Sequence, residues 1–244
     1  MSQESFRALG VSAEVAHALE QRNIITPFPI QALVLPDALA GLDVLAKAPT
    51  GSGKTFAFGL PIIERAEPAD GEPSALVLVP TRELAAQVAS ELAPLAKRKN
   101  LRVAAVYGGA RISTQSKNAR GAHILIATPG RLQDLVERRL VKLDSVRVLI
   151  LDEADRMLDM GFKPQVDRLV RRLPQERQTM LFSATLDGEV GELARAYTSS
   201  PSRFEARPPD DLEQLEVEAA CGNVRGDERR RAARAEPLEC ALAL

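Results

Sequence analysis

Residues 48–55 read Ala48-Pro49-Thr50-Gly51-Ser52-Gly53-Lys54-Thr55 and stand between an apolar run at 43–46 and an apolar stretch at 56–63. A strand that turns through glycines directly into a helix builds a concave nest of backbone N–H groups, with the positive end of the helix dipole aimed into it. Lys54 brings a charge able to reach β- and γ-phosphates, and Thr55 brings a hydroxyl suited to Mg²⁺. The segment, with Thr50 and Ser52 inside it, is therefore expected to be a phosphate-binding loop. The strict pattern begins with Gly where this chain has Ala48. The competing reading is a Gly-rich turn carrying an exposed lysine.

A strand-loop-helix unit of this kind belongs in an α/β sheet, and the rest of the sequence agrees. Short apolar, β-rich runs recur at 75–79, 103–106, 124–127, 148–151 and 180–182. Between them apolar residues return at helical spacing: Leu84, Val88 and Leu92 after Thr81, and Leu132, Leu135 and Val136 after Pro129. Alternating strands and helices predict a mainly parallel central sheet with helices on both faces. In such sheets ligands collect beyond the carboxyl ends of the strands, so the residues just after each run are the candidates for chemistry.

At 244 residues the chain has room for one large domain of this class and is crowded for two. Lys and Arg number 32 against 33 Asp and Glu, which excludes a uniformly basic nucleic-acid binder and confines any such site to a local patch. Both cysteines, Cys221 and Cys240, fall near the end and there are two histidines, so neither a disulfide framework nor a Cys/His metal centre is expected in the first 220 residues. No apolar run reaches a membrane span and no signal-peptide layout opens the sequence; the expectation is a cytoplasmic protein with no membrane partner. Composition shifts at Pro208-Pro209-Asp210-Asp211. We expect a domain over 1–207 and a linker-like, disordered tail over 208–244.

The second informative segment is Asp152-Glu153-Ala154-Asp155, directly after Val148-Leu149-Ile150-Leu151. A carboxylate at the end of a buried strand is costly without a cation, and Mg²⁺ shared with Thr55, partly through water, is the natural one for Asp152. Glu153 is then placed to accept a proton from, or orient, a water that attacks a γ-phosphate. An acidic helix start is the plainer alternative.

With these residues in hand the chain resembles the first RecA-like domain of the DEAD-box RNA helicases. The tetrad at 152–155 is the motif that names that family. The others occur in the family's order: the phosphate loop, Pro80-Thr81-Arg82-Glu83-Leu84, Gly108-Gly109, Thr128-Pro129-Gly130-Arg131 and Ser183-Ala184-Thr185. Residues 23–31, ending Pro27-Phe28-Pro29-Ile30-Gln31, are similar to the family's Q motif, with Phe6 at the place of the preceding aromatic. Phe28 stands where Thr is usual, and Asn23 where Gly is common.

The resemblance implies ATP and Mg²⁺ as cofactors, with Lys54, Asp152 and Glu153 catalytic. Gln31 would meet the adenine edge, a bidentate match like that of Gln to adenine in DNA, or else merely start a helix. Phe6 would stack on the base, or else pack in the core. Arg82, Gly108, Gly109, Thr128, Gly130 and Arg131 would grip the RNA sugar-phosphate backbone without reading sequence. For Arg82 a salt bridge to a nearby carboxylate is the rival. Ser183 and Thr185 would bond to the acidic tetrad, Asp155 included, and so couple nucleotide state to domain arrangement; their rival role is capping the helix from Asp187. The family closes two RecA-like domains over ATP and RNA, and the residues after Phe204 are too few for a second one.

The expected function is that of the ATP- and RNA-binding N-terminal half of an RNA helicase and ATPase, weak or inactive until a second RecA-like domain is supplied. Two alternatives are a non-catalytic module that binds RNA or a partner, and an unrelated P-loop kinase.

Overall fold

Residues in five of the seven strands among the described residues are buried almost without interruption, as strands covered on both faces must be. The structure is a computed structural model and describes residues 5–67 and 72–206. The predicted tail at 208–244, with Cys221 and Cys240, lies outside the described residues.

The strands are β1 (Val44–Lys47), β2 (Ala75–Leu78), β3 (Val103–Val106), β4 (Ile124–Ala127), β5 (Val148–Asp152), β6 (Gln178–Ser183) and β7 (Ser202–Glu205). The helices are α1 (Ala13–Glu20), α2 (Pro29–Ala40), α3 (Lys54–Arg65), α4 (Arg82–Ala96), α5 (Ile112–Ala119), α6 (Pro129–Glu137), α7 (Ala154–Asp159), α8 (Lys163–Val170) and α9 (Gly188–Tyr197). The strands form one sheet in the order β3-β4-β2-β5-β6-β1-β7. Every pairing is parallel.

Side chains alternate between the two faces of a strand, and here that alternation divides the core in two. Val44, Ala46, Val77, Ile126, Ile150 and Phe182 face a cluster built with α1 to α4, including Leu19, Leu35, Phe58, Ile62 and Leu92. Leu45, Leu76, Leu125, Leu149, Leu151 and Leu181 face a second cluster with Ala119 of α5 and Leu135, Met157, Leu169 and Leu193 of α6 to α9. Phe58 meets Phe182 edge to face with ring centroids 5.3 Å apart, fixing α3 over β6.

Two elements differ from the sequence expectation for stated reasons. β7 carries only Phe204 as an inward apolar residue and pairs with β1 alone, so it has the alternating character of an edge strand. β6 extends past 180–182 at both ends through polar residues that are buried and only partly partnered, since the Gln178 Oε1 and Thr179 Oγ1 atoms make no hydrogen bond. Gln178 Nε2 donates to the carbonyls of Ala38 and Leu42 at 2.9 and 2.7 Å, and Ser183 Oγ accepts a bond described below.

Strand order positions the chemistry. The phosphate loop follows β1, Ser183 ends β6, and Asp152 ends β5, so these three adjacent strand ends carry the predicted nucleotide residues. β2, β4 and β3 form the other side of the sheet, and they are followed by Arg82, Thr128 and Gly108 respectively. One carboxyl edge is thereby divided into two neighbouring halves.

Candidate nucleotide and nucleic-acid site

Gly51 and Gly53 adopt φ values of +85° and +89°, a backbone region that side-chain-bearing residues avoid. They turn the chain from β1 into α3 and leave a concave loop. The loop is tied from within: Ser52 Oγ donates to the Pro49 carbonyl at 2.8 Å, and Lys54 Nζ donates to the carbonyls of Ala48 and Pro49 at 3.0 and 3.3 Å. Those carbonyls are neutral acceptors, so a phosphate oxygen would offer the ammonium a stronger, charge-assisted bond.

Gln31 is 1% exposed and bridges two segments. Its Oε1 accepts the N–H of Phe28 at 2.9 Å, and its Nε2 donates to the Gly53 carbonyl at 2.8 Å. The first bond caps α2 and the second ties α2 to the phosphate loop. A primary amide has two N–H groups and two lone pairs, so one of each remains for a ligand edge.

These parts line a cavity of about 260 Å³ together with Thr50, Thr55, Asp152 and Glu153. Asp152 is 3% exposed. Burial pushes its carboxyl up to about 7, opposed by the nearby Lys54 ammonium and reinforced by Glu153 and Asp155. A buried carboxylate so short of positive charge fits a divalent cation. Among the described residues no group of three or more His, Cys, Asp or Glu could hold a metal ion on its own, so Mg²⁺ here would take its remaining ligands from phosphate and water.

Glu153 has φ +51° and caps α7, a strained backbone position for a glutamate. Its side chain is largely buried and pairs with Arg156 at 3.1 Å. Beside it, the Asp155 N–H donates to Ser183 Oγ at 3.2 Å, and Asp155 Oδ2 accepts the N–H of Ala184 at 3.2 Å. Ser183 therefore reaches the acidic tetrad through the Asp155 backbone N–H. Thr185 does not: its Oγ1 accepts the N–H of Asp187 at 3.2 Å and supports the start of α9. The link between the two segments runs through Ser183 and the Ala184 amide instead.

Phe6 also departs from its expected place. It is 3% exposed and belongs to the core cluster of α1 to α4, so its ring has no open face for a base. The exposed aromatic at the nucleotide cavity is Phe28.

On the other half of the edge, Arg82, Gly108 and Gly109 line a second cavity of about 310 Å³. Arg82 is 63% exposed and pairs with Glu83 at 2.5 Å, the rival role foreseen for it. Its remaining N–H groups still face the turn at Gly109, whose added Cβ would lie 3.6 Å from Arg82 Nη1. Thr128 is buried at the N-cap position of α6, and its side chain makes no capping hydrogen bond. At Gly108 and Gly130 an added Cβ would meet nothing within 4 Å and φ is not positive, so neither packing nor backbone conformation demands glycine there. Arg131 turns inward: Nη1 donates to the Ala110 carbonyl at 2.9 Å and to Gln115 Oε1 at 2.6 Å. It holds the 108–110 turn against α5 and α6 instead of projecting from it.

Sequence reasoning missed several wall residues. Leu84, Gln87 and Glu91 of α4 and Phe56 of α3 also line the nucleotide cavity. The spacing of three and four along α4 places the first three on one helix face, a signal that was present but had no strand to orient it. Arg22 lies over the Phe56 ring at 5.8 Å, and no local motif announces that contact.

The profile of the DEAD/DEAH box helicase family matches residues 28–193. The chain is 43% identical over 197 residues to the DEAD-box ATP-dependent RNA helicase CshA of Streptococcus pneumoniae serotype 4, covering 80% of this chain and 38% of that protein. It is 46% identical over 211 residues to the ATP-dependent RNA helicase RhlB of Pseudomonas syringae pv. tomato, covering 82% and 53%. The crystal structure of a DEAD box protein from the hyperthermophile Methanococcus jannaschii superposes with a TM-score of 0.81 at 36% identity, over 91% of this chain and 63% of that one. The chain thus spans roughly two fifths to half the length of these two sequence relatives.

Proposed function

The chain belongs to the DEAD/DEAH box helicase family, and from that premise we propose that it is the ATP- and RNA-binding N-terminal half of an ATP-dependent RNA helicase. The observation that carries the reading is the divided edge. The ends of β1 and β5 bring the loop, Asp152 and Glu153 to one cavity, with Ser183 at the end of the intervening β6 bonded to Asp155, while Arg82 after β2 and Gly108 and Gly109 after β3 line a second.

In this reading Lys54 leaves its loop carbonyls for the β- and γ-phosphates, which the loop N–H groups and the α3 N-terminus also hold. Thr55 and Asp152 would hold Mg²⁺, partly through water, and the bound ion would supply charge neutralisation to the phosphates. Glu153, fixed by its strained backbone and by Arg156, orients the attacking water and accepts its proton. Gln31 offers its remaining N–H and lone pair to the adenine edge. Arg82, Thr128 and the exposed backbone at Gly108, Gly109 and Gly130 contact RNA phosphates, and the open space at two of those glycines admits a close sugar-phosphate backbone. Arg131 contributes by holding that turn. Asp155 and Ser183 transmit nucleotide state between the halves. The domain extends over 1–207, works in the cytoplasm, and couples hydrolysis to local duplex separation when a second RecA-like domain supplies arginines to the transferred phosphoryl group. Such arginines are worth about 10³ to 10⁵ in rate.

The test measures phosphate release and RNA duplex separation by the 244-residue chain, alone and with a separately expressed second RecA-like domain. Glu153→Gln controls for contaminating ATPase. Hydrolysis that is weak alone and rises with RNA and the added domain supports the reading. Phosphate transfer to a small acceptor independent of RNA overturns it in favour of a kinase.

A further inference from the structure

Phe28 heads α2, and 52% of it is exposed. A single exposed aromatic is ordinary on a protein surface. This one lies on the wall of the nucleotide cavity, next to the amide of Gln31. A Cβ added at Gly53 would fall 2.8 Å from Gln31 Nε2, 2.9 Å from Phe28 Cδ2 and 3.1 Å from Phe28 Cγ, so amide and ring converge on one point of the phosphate loop. The backbone that carries the ring is held: the Phe28 N–H donates to Gln31 Oε1 at 2.9 Å, and Pro29 follows at the first helical position. A half-exposed aromatic with a constrained backbone gives stacking area at low cost in entropy.

We propose that Phe28 is an affinity-determining contact of the nucleotide site, its ring stacking on the purine whose edge Gln31 meets. The inference rests on the nucleotide reading of the cavity and deepens it. The base is held on two sides, by an amide at its edge and by an aromatic surface, and the aromatic surface comes from Phe28 because Phe6 is enclosed in the core. Base–aromatic stacking tolerates different bases, so Phe28 strengthens nucleotide binding while Gln31 discriminates among nucleotides.

The experiment measures binding of ATP·Mg²⁺, GTP·Mg²⁺ and inorganic tripolyphosphate·Mg²⁺ to the 244-residue chain and to its Phe28→Ala, Phe28→Thr and Phe28→Tyr variants. Phe28→Ala and Phe28→Thr are expected to lose roughly five- to fiftyfold in ATP affinity. Both should bind tripolyphosphate like the parent and keep its ATP-to-GTP ratio, and Phe28→Tyr should restore ATP affinity. Unchanged ATP affinity in Phe28→Ala, whatever happens to RNA binding, overturns the inference. So does an equal loss for ATP and tripolyphosphate, which would mean that the ring only supports the loop. A parent chain that binds neither ligand, and that Lys54→Ala leaves unaltered, overturns the nucleotide reading itself.

Discussion

Gln31 donates from Nε2 to the carbonyl oxygen of Gly53 at 2.8 Å, so the residue expected to read a base is also the tie between α2 and the phosphate loop. Its removal leaves both the Gly53 carbonyl and the Phe28 N–H without that partner. Gln31→Ala is therefore expected to lower the free energy of unfolding by about 1–3 kcal/mol and to erode preference for ATP over GTP. Urea unfolding and parallel nucleotide titrations check the two effects. An unchanged unfolding midpoint would mean that the bridge does not hold the loop.

Arg131 is expected to act on RNA through the turn it supports. Arg131→Ala leaves the Ala110 carbonyl and Gln115 without their guanidinium partner, so amide exchange at 108–110 should accelerate even without RNA. RNA affinity should fall with it. If RNA affinity falls while exchange at 108–110 stays as in the parent, Arg131 contacts RNA directly.

His123 supplies the pH dependence. Its Nδ1 accepts the N–H of Arg102 at 3.0 Å, a bond that requires that nitrogen to be unprotonated. Burial, with Arg102 nearby, holds its pKa below the ordinary value of 6.5. The unfolded chain therefore binds the proton first, and stability falls as pH drops from about 6.5 through the lowered folded value. Well above 6.5 both states are neutral and the residue contributes no slope. His123→Asn keeps an acceptor and has no proton to gain, so the gap between its urea midpoints at pH 7.5 and pH 5.5 should be narrower than the parent's. An equal gap would remove His123 as a cause.

Much of this arrangement was legible beforehand, because apolar strands, glycine turns and helical spacing are local properties. The five runs after the phosphate loop all form strands, and the loop itself joins β1 to α3. What a local pattern does not carry is the partner of a polar side chain. Arg131 and Thr185 each have a nearby residue to bond, and their motif gives no sign of which. Phe6 and Phe28 illustrate the same limit for aromatics: both flank α1, one is enclosed and one half exposed, and only the packing of α1 against the sheet's first cluster separates them. Strand order was equally hidden. The placement of β6 between β5 and β1 follows from two pairings, Val148 with Gln178, which brings Ser183 to the acidic tetrad, and Val44 with Met180, far apart in sequence.

The central claim for this chain is that the ends of β1, β6 and β5 bind a nucleoside triphosphate with Mg²⁺. Calorimetric titration of ATP·Mg²⁺ into the 244-residue chain and into Lys54→Ala tests it directly. A charge-assisted bond contributes about 1.5–3 kcal/mol, so the account predicts saturable binding at one site that Lys54→Ala weakens roughly ten- to a hundredfold. Equal affinity in the two proteins would contradict it.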